Sequence, residues 1–565
     1  MTRPGWLRFA PAVVAAGFAT FAVWRSTLGF DFRDGTYAVE LSVRLAQGDV
    51  VFRDEASPHA LGAAVAAPFL NAWLHLVGPT GIVLAARLLF VALAVAVAVA
   101  SWRYLRDVFG SWSAMIGVIT AVFVLPYNVF AISYNTIPAL GLLLGSSALV
   151  SWARRPSRAT AVVLAGATTT SALAFPSTAP AALVLFGGAI WLGVRHSSSP
   201  AKHCVRVLVL VATVEVTVIF GALLIRPGPA AVWDAARSFV AFRSEAQATL
   251  GFTKSVLTYW VMVAGSRPMA VAIAASAVAC GLALPRLLRV GAVAIVPIAV
   301  GIWASRPGLV GAAEPSSGAY SGVVASWLIV LLGPPVFLHL RSRCERPVQA
   351  AVAVIGLTGV VGAWGIVNTT ASFPTHGAPA AALTGVLAIT GSGAARLLAD
   401  GAGHWGELLS IAAPLAMCGA LMAVVFSEGS GWGLDTRAGA GPTAGLTMSS
   451  AAARQVDDLT RSLASCPRLT DGVLSIGEPG VYLLAPARVM SNAVWGVDDG
   501  TEAWRWNDRR GTAPGCVLVR ERRLASASAY VQEKLAHYST TARIPQVDDE
   551  GQSDAILVLT RVSAS

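Results

Sequence analysis

Asp31, Asp34, Glu40, Asp49, Asp54 and Glu55 crowd one stretch of a chain that spends only fourteen carboxylates over its first 426 residues. Carboxylates so gathered act as general bases, hold cations or cap helices. The stretch reads FDFRDGTYAVELSVRLAQGDVVFRDEASPHALG over residues 30–62. From Thr36 to Leu45, the side chains of Tyr37, Leu41 and Leu45 share a stripe while Glu40 and Arg44 fall elsewhere, which predicts an amphipathic helix on a membrane surface. A short extended stretch, VVFRDE, and then a mostly apolar helix over 60–76 are expected to follow. Asp34 and Asp54 bracket the interfacial helix, each directly after an arginine, Arg33 and Arg53.

The elements that position this loop are set by composition. With 55% hydrophobic residues, 13% charged residues and a mean hydropathy of +0.65, the chain cannot be an ordinary soluble protein. Apolar stretches long enough to cross roughly 30 Å of hydrocarbon as helices recur about thirteen times. They fall at 8–24, 81–101, 112–131, 136–153, 158–174, 180–195, 204–225, 262–284, 288–304, 320–340, 348–368, 378–397 and 407–426. Arg267 and Pro268 interrupt the eighth. No small-residue cleavage site follows the first, so it reads as a retained helix rather than a signal peptide. Residues 1–426 thus form a transmembrane domain whose loop 25–80 carries the acids.

Short basic loops mark the cytoplasmic side. Arg3 and Arg8 precede the first span; Arg103 and Arg106, Arg154, Arg155 and Arg158, Arg195, Lys202 and Arg206, Arg286 and Arg289, Arg341, Arg343 and Arg346, and Arg396 fall in every second connection thereafter. The acidic loop, the loops near 226–260, 305–319 and 369–377 and the C-terminal tail are therefore expected outside, with the N-terminus cytoplasmic and the chain in the cell membrane. The tail holds 14 basic and 16 acidic residues, so the net charge of +11 resides in the membrane part. That distribution removes the nucleic-acid reading of a basic pI.

A Gly/Ser/Thr-rich linker over 427–450 leads to a second unit at 451–565. Its pattern predicts a helix at 451–464, strands at 473–477 and 516–520, a helical stretch at 526–538 and a strand at 555–562, a small α/β domain. Cys466 and Cys516 form an even pair in an oxidising compartment and are expected to be bonded. No CxxC spacing of a metal site occurs.

Three pieces of the acidic loop carry a family resemblance: Asp34-Gly35-Thr36-Tyr37, Gly48-Asp49-Val50-Val51-Phe52-Arg53-Asp54 and Pro58-His59-Ala60-Leu61-Gly62. They resemble the first external loop of integral-membrane glycosyltransferases of the GT-C superfamily, particularly the branch of protein O-mannosyltransferases and lipid A aminoarabinose transferases. SYNTIPALGLLLG at 133–145 looks like the start of the family's fourth helix, and ALAFPSTAPAALV at 172–184 is similar to its fifth-to-sixth helix turn. FPTHGAP at 373–379 resembles a late external loop, and VLSIGEPGVYLLAPARVMSN at 473–492 resembles the α/β module that closes many such chains. The sequence departs from the pattern at Gly35, where the mannosyltransferases carry a second acid, at Asn135, where some relatives place an Asp, and at Ala60-Leu61, in place of a proline pair. The tail has no WWD-like motif of the oligosaccharyltransferase kind.

The resemblance implies transfer of a sugar from a polyprenyl-phosphate donor to an acceptor of the cell envelope, whether glycan, lipid or protein, with membrane lipid around the site. An incoming hydroxyl then needs a base and a stabilised departing anion, and a single displacement inverts the anomeric centre. Asp34 is expected as base, with capping of the helix that starts near Gly35 as its structural alternative; Asp54 is expected to orient the acceptor or the helix. Tyr37 joins the substrate site. Arg53, His59, Arg226, Lys254, Arg267, Arg306 and His376 are the outward cations available to phosphate, with Arg267 and Arg306, each before a proline at a helix end, best placed. Asp31 and Asp49 read as solvated loop residues. Too few acids converge to demand a metal, so no cofactor is required by the sequence and a divalent cation is left open.

Two other classes compete. Glu215, near the middle of the seventh span, would serve a secondary transporter or flippase as an ion site, although no inverted repeat accompanies it and it could instead pair with a polar group of the bundle. Trp495, Trp504 and Trp506 would serve a non-catalytic scaffold that binds envelope glycan, or the core of the tail domain.

Overall fold

A computed structural model describes residues 10–32, 34–57, 59–123, 129–195, 199–237, 345–370, 415, 418–419, 422–425, 429–485, 487–492, 500–547 and 553–562. The spans expected at 262–284, 288–304, 320–340 and 378–397 lie outside these residues, as do Arg33, Pro58, Lys254, Arg267, Arg306, His376 and Trp495. Among the described residues, four helical segments are long and apolar enough to cross a membrane: Ile82–Phe109, Thr136–Arg154, Pro176–Arg195 and Ser199–Ile225. The chain is a polytopic membrane protein.

In chain order the helices of the first part are α1 (Ala10–Ser26), α2 (Asp34–Ala46), α3 (Ala60–Ala64), α4 (Ala67–Leu76), α5 (Ile82–Phe109), α6 (Ser111–Phe123), α7 (Thr136–Arg154), α8 (Arg158–Ala174), α9 (Ala179–Arg195), α10 (Ser199–Ile225) and α11 (Arg346–Thr370). The bundle centres on α7, whose buried face runs from Thr136 to Ala153. Small residues let backbones close on it: a Cβ on Gly145 would come within 2.8 Å of Leu185 on α9. Glu215 on α10 accepts a hydrogen bond from Thr170 Oγ1 on α8 at 2.8 Å, so it pairs with a polar group of the bundle.

Three local expectations are corrected. The stretch VVFRDE is not extended but a tight turn, closed by a bridge between Val51 and Glu55 with Phe52 at φ 68°. The helix expected over 60–76 is two helices, because Pro68 in the first turn of α4 favours a fresh start there. The amphipathic α2 does not turn its polar face to water: Glu40 and Arg44 are each only 2% exposed, as deeply covered as Tyr37 and Leu41 behind them.

α2 packs chiefly against α3 and α4, and further contacts reach it from the far end of the chain. Two short strand pairs follow, β1 (Val424–Val425) antiparallel to β2 (Gly429–Ser430), and β3 (Thr436–Arg437) antiparallel to β4 (Thr447–Met448). They are stitched to the bundle: Gly81 donates to Gly441 O at 2.9 Å, Gly29 to Thr447 O at 2.7 Å, and Thr447 to Thr27 O at 2.6 Å. Beyond them, α12 (Ser450–Ala464), β5 (Val473–Ile476), α13 (Val481–Leu484), α14 (Thr501–Arg509), β6 (Cys516–Arg520), α15 (Glu521–Ala525), α16 (Ala529–Leu535), β7 (Tyr538–Val547) and β8 (Ser553–Arg561) build an α/β unit.

Its sheet runs β5-β6-β8-β7, with β5 and β6 parallel and the other neighbours antiparallel. Residues alternate between faces with the period of a strand. Cys516, Leu518, Ile556 and Val558 join α12 and α13 in a buried cluster that continues through α2 into the bundle. Val517, Val519, Leu557 and Leu559 pack with Trp504 of α14 and Val531 of α16 on the other face. The expected helix over 526–538 is replaced by α15 and α16, separated where Ser528 caps α16, and β7 starts at Tyr538. Cys466 and Cys516 are disulfide-bonded, tying the end of α12 to the start of β6.

Candidate active site

The site is built around α2, whose first residue is Asp34. The capping hydrogen bond at that end is made by Asp31: its Oδ1 accepts from Gly35 N–H at 3.0 Å and its carbonyl accepts from Thr36 Oγ1 at 2.7 Å. Asp31 is 5% exposed, so the expectation of a solvated loop acid is corrected. A buried carboxylate at a helix start is held by exposed N–H groups and the positive end of the helix dipole.

Two arginines that the sequence reading passed over brace the approach to α2. Arg87 of α5, 6% exposed, donates from Nη1 to the carbonyls of Ser26, Leu28 and Gly29 at 3.2, 2.8 and 2.9 Å. Arg25, at the end of α1, lies over the ring of Phe130 at 4.9 Å and reaches Leu28 O at 3.3 Å. Tallying basic residues by loop hid both, whereas a lone arginine inside the apolar run 81–101 was a signal in itself.

Behind Asp34, one turn on, stands an aromatic cluster that unites three separate segments. Tyr37 Oη lies 2.8 Å from Ser57 Oγ and 3.2 Å from His59 Nδ1. The His59 imidazole stacks on Tyr134 at 3.7 Å and 9°, and Phe175 closes the cluster at 5.4 Å from each ring. Gly62 permits the approach, since a Cβ there would come within 2.5 Å of Tyr134 Cα. Burial pushes the His59 pKa down to about 3, so the ring is neutral at pH 7 and offers hydrogen bonds rather than a charge for phosphate.

The far end of α2 carries a different assembly. Arg44 spends its guanidinium on three partners: Asp49 Oδ2 at 2.6 Å from Nε, Glu55 Oε2 at 2.6 Å from Nη1 and Asp54 O at 2.9 Å from Nη2. Asp49 is thus an ion-pair partner, not a free loop acid. Asp54 accepts Val50 N–H at 3.0 Å and the guanidiniums of Arg53 and Arg510 at 2.9 and 3.1 Å. These hydrogen bonds hold its carboxyl below the usual range against the upward push of burial. Roughly 15 Å of helix rise separates Asp34 from Arg44, so Asp54 clamps a turn at the opposite end of α2 from Asp34. Arg53 remains half-exposed.

Glu40 sits between these ends, buried, and among the described residues its Oε2 has no hydrogen-bond partner. Burial raises its pKa to about 8, eased by Arg44 and reinforced by Asp49 and Glu55, so it is largely protonated at pH 7. Tyr482 of the tail lies near enough to feel the charges of Arg44, Glu40 and Glu55; burial raises its phenol, while its oxygen accepts Ser475 N–H at 2.8 Å and donates to Ser475 O at 3.1 Å. The tail touches the loop at three places: Gly480 N–H to Phe32 O at 2.9 Å, Ala56 N–H to Asn492 O at 2.6 Å, and Arg510 to Asp54. Among the described residues, no three His, Cys, Asp or Glu side chains converge to hold a metal ion. Trp504 and Trp506 are buried, so neither offers a face for stacking on sugar.

No family model matches the chain, and no curated protein does. Among solved structures the chain is similar to the oligosaccharyltransferase of Archaeoglobus fulgidus in its apo form, at 11% identity and a TM-score of 0.49 over 99% of this chain and 75% of that one. It is similar to archaeal oligosaccharyltransferase AglB from Archaeoglobus fulgidus in complex with an inhibitory peptide and a dolichol-phosphate, at 10% identity and 0.46 over 98% and 74%. It is also similar to ArnT from Cupriavidus metallidurans bound to undecaprenyl phosphate, at 14% identity and 0.40 over 100% and 99%.

Proposed function

We propose that the chain is a membrane glycosyltransferase of the GT-C type that moves a sugar from a polyprenyl-phosphate donor to a cell-envelope acceptor, with Asp34 as general base. One observation carries the reading. The stretches that resemble the family lie far apart in sequence, yet Tyr37 and His59 of the first loop, Tyr134, Phe175 and Gly480 all gather on α2, the helix that Asp34 begins.

In this mechanism Asp34 takes the proton of the acceptor hydroxyl as its oxygen bonds to the anomeric carbon from the side opposite the phosphate. The bond from that carbon to the phosphate oxygen breaks, its electron pair leaves with the polyprenyl phosphate, and the anomeric centre inverts. The positive end of α2 favours the ionised form of a carboxyl in its first turn, which suits a base at pH 7. Asp31 makes a cap to Gly35, so the helix start has a carboxylate partner besides the proposed base. Arg53, Arg267, Arg306 and His376 are the cations proposed to receive the phosphate, and Tyr37 with neutral His59 shapes the wall behind the base. Asp54 orients the helix rather than the acceptor, because its oxygens are committed to Val50, Arg53 and Arg510. The site faces the extracytoplasmic side of the cell membrane with the tail above it, an orientation that the disulfide in the tail supports.

The test is Asp34→Asn in purified, folded protein, followed for sugar transfer from a polyprenyl-phosphate donor. Turnover should fall by about a thousandfold or more, since general-base catalysis alone is worth about 10²–10⁴-fold. Wild-type turnover by the variant would sink the assignment.

A further inference from the structure

We infer that Gly480 of the C-terminal domain is a positioning residue for Asp34, a buttress that sets where the base stands. The inference rests on the base assignment above.

Gly480 adopts φ −62° and ψ −17°, a conformation open to any residue, so backbone freedom does not account for a glycine there. Space does. A Cβ at this position would overlap Thr36 Oγ1 and would lie 2.8 Å from Phe32 Cα and 3.1 Å from Asp31 O. Those three residues flank Asp34 on both sides. Gly480 also donates its N–H to Phe32 O at 2.9 Å, the last described carbonyl before α2. Thr36 cannot swing aside freely, because its hydroxyl is bonded to Asp31 O at 2.7 Å and the residue is fully buried.

The turn that presents Gly480 is itself held. Glu478 pairs with Arg520 of β6, and its carbonyl accepts from Ser475 Oγ at 2.8 Å. Pro479 fixes φ immediately before the glycine. Tyr482 binds both the N–H and the carbonyl of Ser475, closing the loop from β5 to α13. The sheet of the tail is thereby connected through one turn to the Phe32 carbonyl before Asp34 and to the Thr36 side chain after it, while Arg87 and Thr447 hold the 27–29 segment. A shift of the tail turn by a fraction of an ångström must be passed on to the base, and about 1 Å of misplacement costs about 10²-fold in rate.

The experiment compares Gly480→Ala and Tyr482→Phe with wild type and Asp34→Asn. It measures kcat per titrated donor-binding site, the donor KM, and the acid limb of the pH–rate profile. Tyr482→Phe removes a single oxygen and leaves Gly480 in place, so it serves if Gly480→Ala does not accumulate as folded protein. The inference expects kcat per site to fall by about 10- to 100-fold with donor KM within twofold, and the acid limb to move, a change that mere loss of folded enzyme would not produce. Wild-type kcat and pH profile in both tail variants, with Asp34→Asn inactive, would overturn the buttress and leave the base assignment standing. An active Asp34→Asn would remove the base assignment and this inference with it.

Discussion

Replacing Glu40 with glutamine should abolish a pH dependence of stability that the wild-type protein owes to a single buried acid. Glu40 is 2% exposed and its pKa is raised from 4.5 to about 8 by burial. Its neighbour Arg44 is already committed to Asp49, Glu55 and the Asp54 carbonyl. An acid whose folded pKa is raised keeps a proton that the unfolded chain has released. Its contribution therefore weakens as pH climbs from 4.5 and levels off above 8. At about 1.4 kcal/mol per pH unit the whole window amounts to about 5 kcal/mol, of which about 2 kcal/mol falls between pH 6.5 and 8.

Tyr482 shares the sign of Glu40, but its window opens only near pH 10, whereas His59 and Asp54 have the opposite sign. His59, lowered to about 3, and Asp54, lowered from 3.8, give stability that is complete above their unfolded pKa values and is lost only on acidification. The interval from pH 6.5 to 8 thus isolates Glu40. Thermal unfolding in detergent, followed by the fluorescence of the 17 tryptophans, should show a wild-type melting temperature that drops by about 2 °C across this interval and a Glu40→Gln curve that stays flat. Parallel curves, or a wild-type melting temperature that rises with pH, would refute the argument that Glu40 is buried and protonated.

The contacts between tail and loop yield graded expectations. Arg510→Ala removes a half-exposed ion pair and should cost no more than about 1 kcal/mol, whereas Asp54→Asn strips charge from three hydrogen bonds and should cost about 1–3 kcal/mol; the same thermal melts decide the order. Replacing Cys466 and Cys516 by serine opens a link with a sequence separation of 50 and should cost the tail domain about 4 kcal/mol, seen as its earlier unfolding in urea. Equal denaturation midpoints with and without reductant would contradict that value.

The spans were legible because hydropathy is local: α1, α5 and α7 to α11 fall close to the stretches marked by length and apolarity alone. The helix α2 was legible for the same reason, from the spacing of Tyr37, Leu41 and Leu45. What its two ends meet was not, because Arg44 finds Asp49, Glu55 and the Asp54 carbonyl only once the chain has turned back, and the start of α2 meets Gly480 from more than 400 residues away. The strand β7 was missed because YSTTARIPQV is polar and carries Pro545, as an edge strand can, and β7 lies at the sheet's edge. The helix α14 was missed because TEAWRWNDR buries its two tryptophans beneath a mostly charged surface, which leaves little apolar pattern to read. Asp31 was missed as a cap because it lies four residues before Gly35, whose N–H it accepts, and sequence alone does not show the chain folding back to make that bond.

The stitch between Gly480 and Phe32 also orders the birth of the molecule. The acidic loop leaves the ribosome about 450 residues ahead of the turn that covers it, and at about 5–20 residues per second it waits roughly 20–90 seconds with Glu40, Arg44 and Glu55 uncovered. Throughout that interval the loop can be solvated and charged. The turn that meets the loop emerges long after it, so the site closes only once that part of the tail has been made.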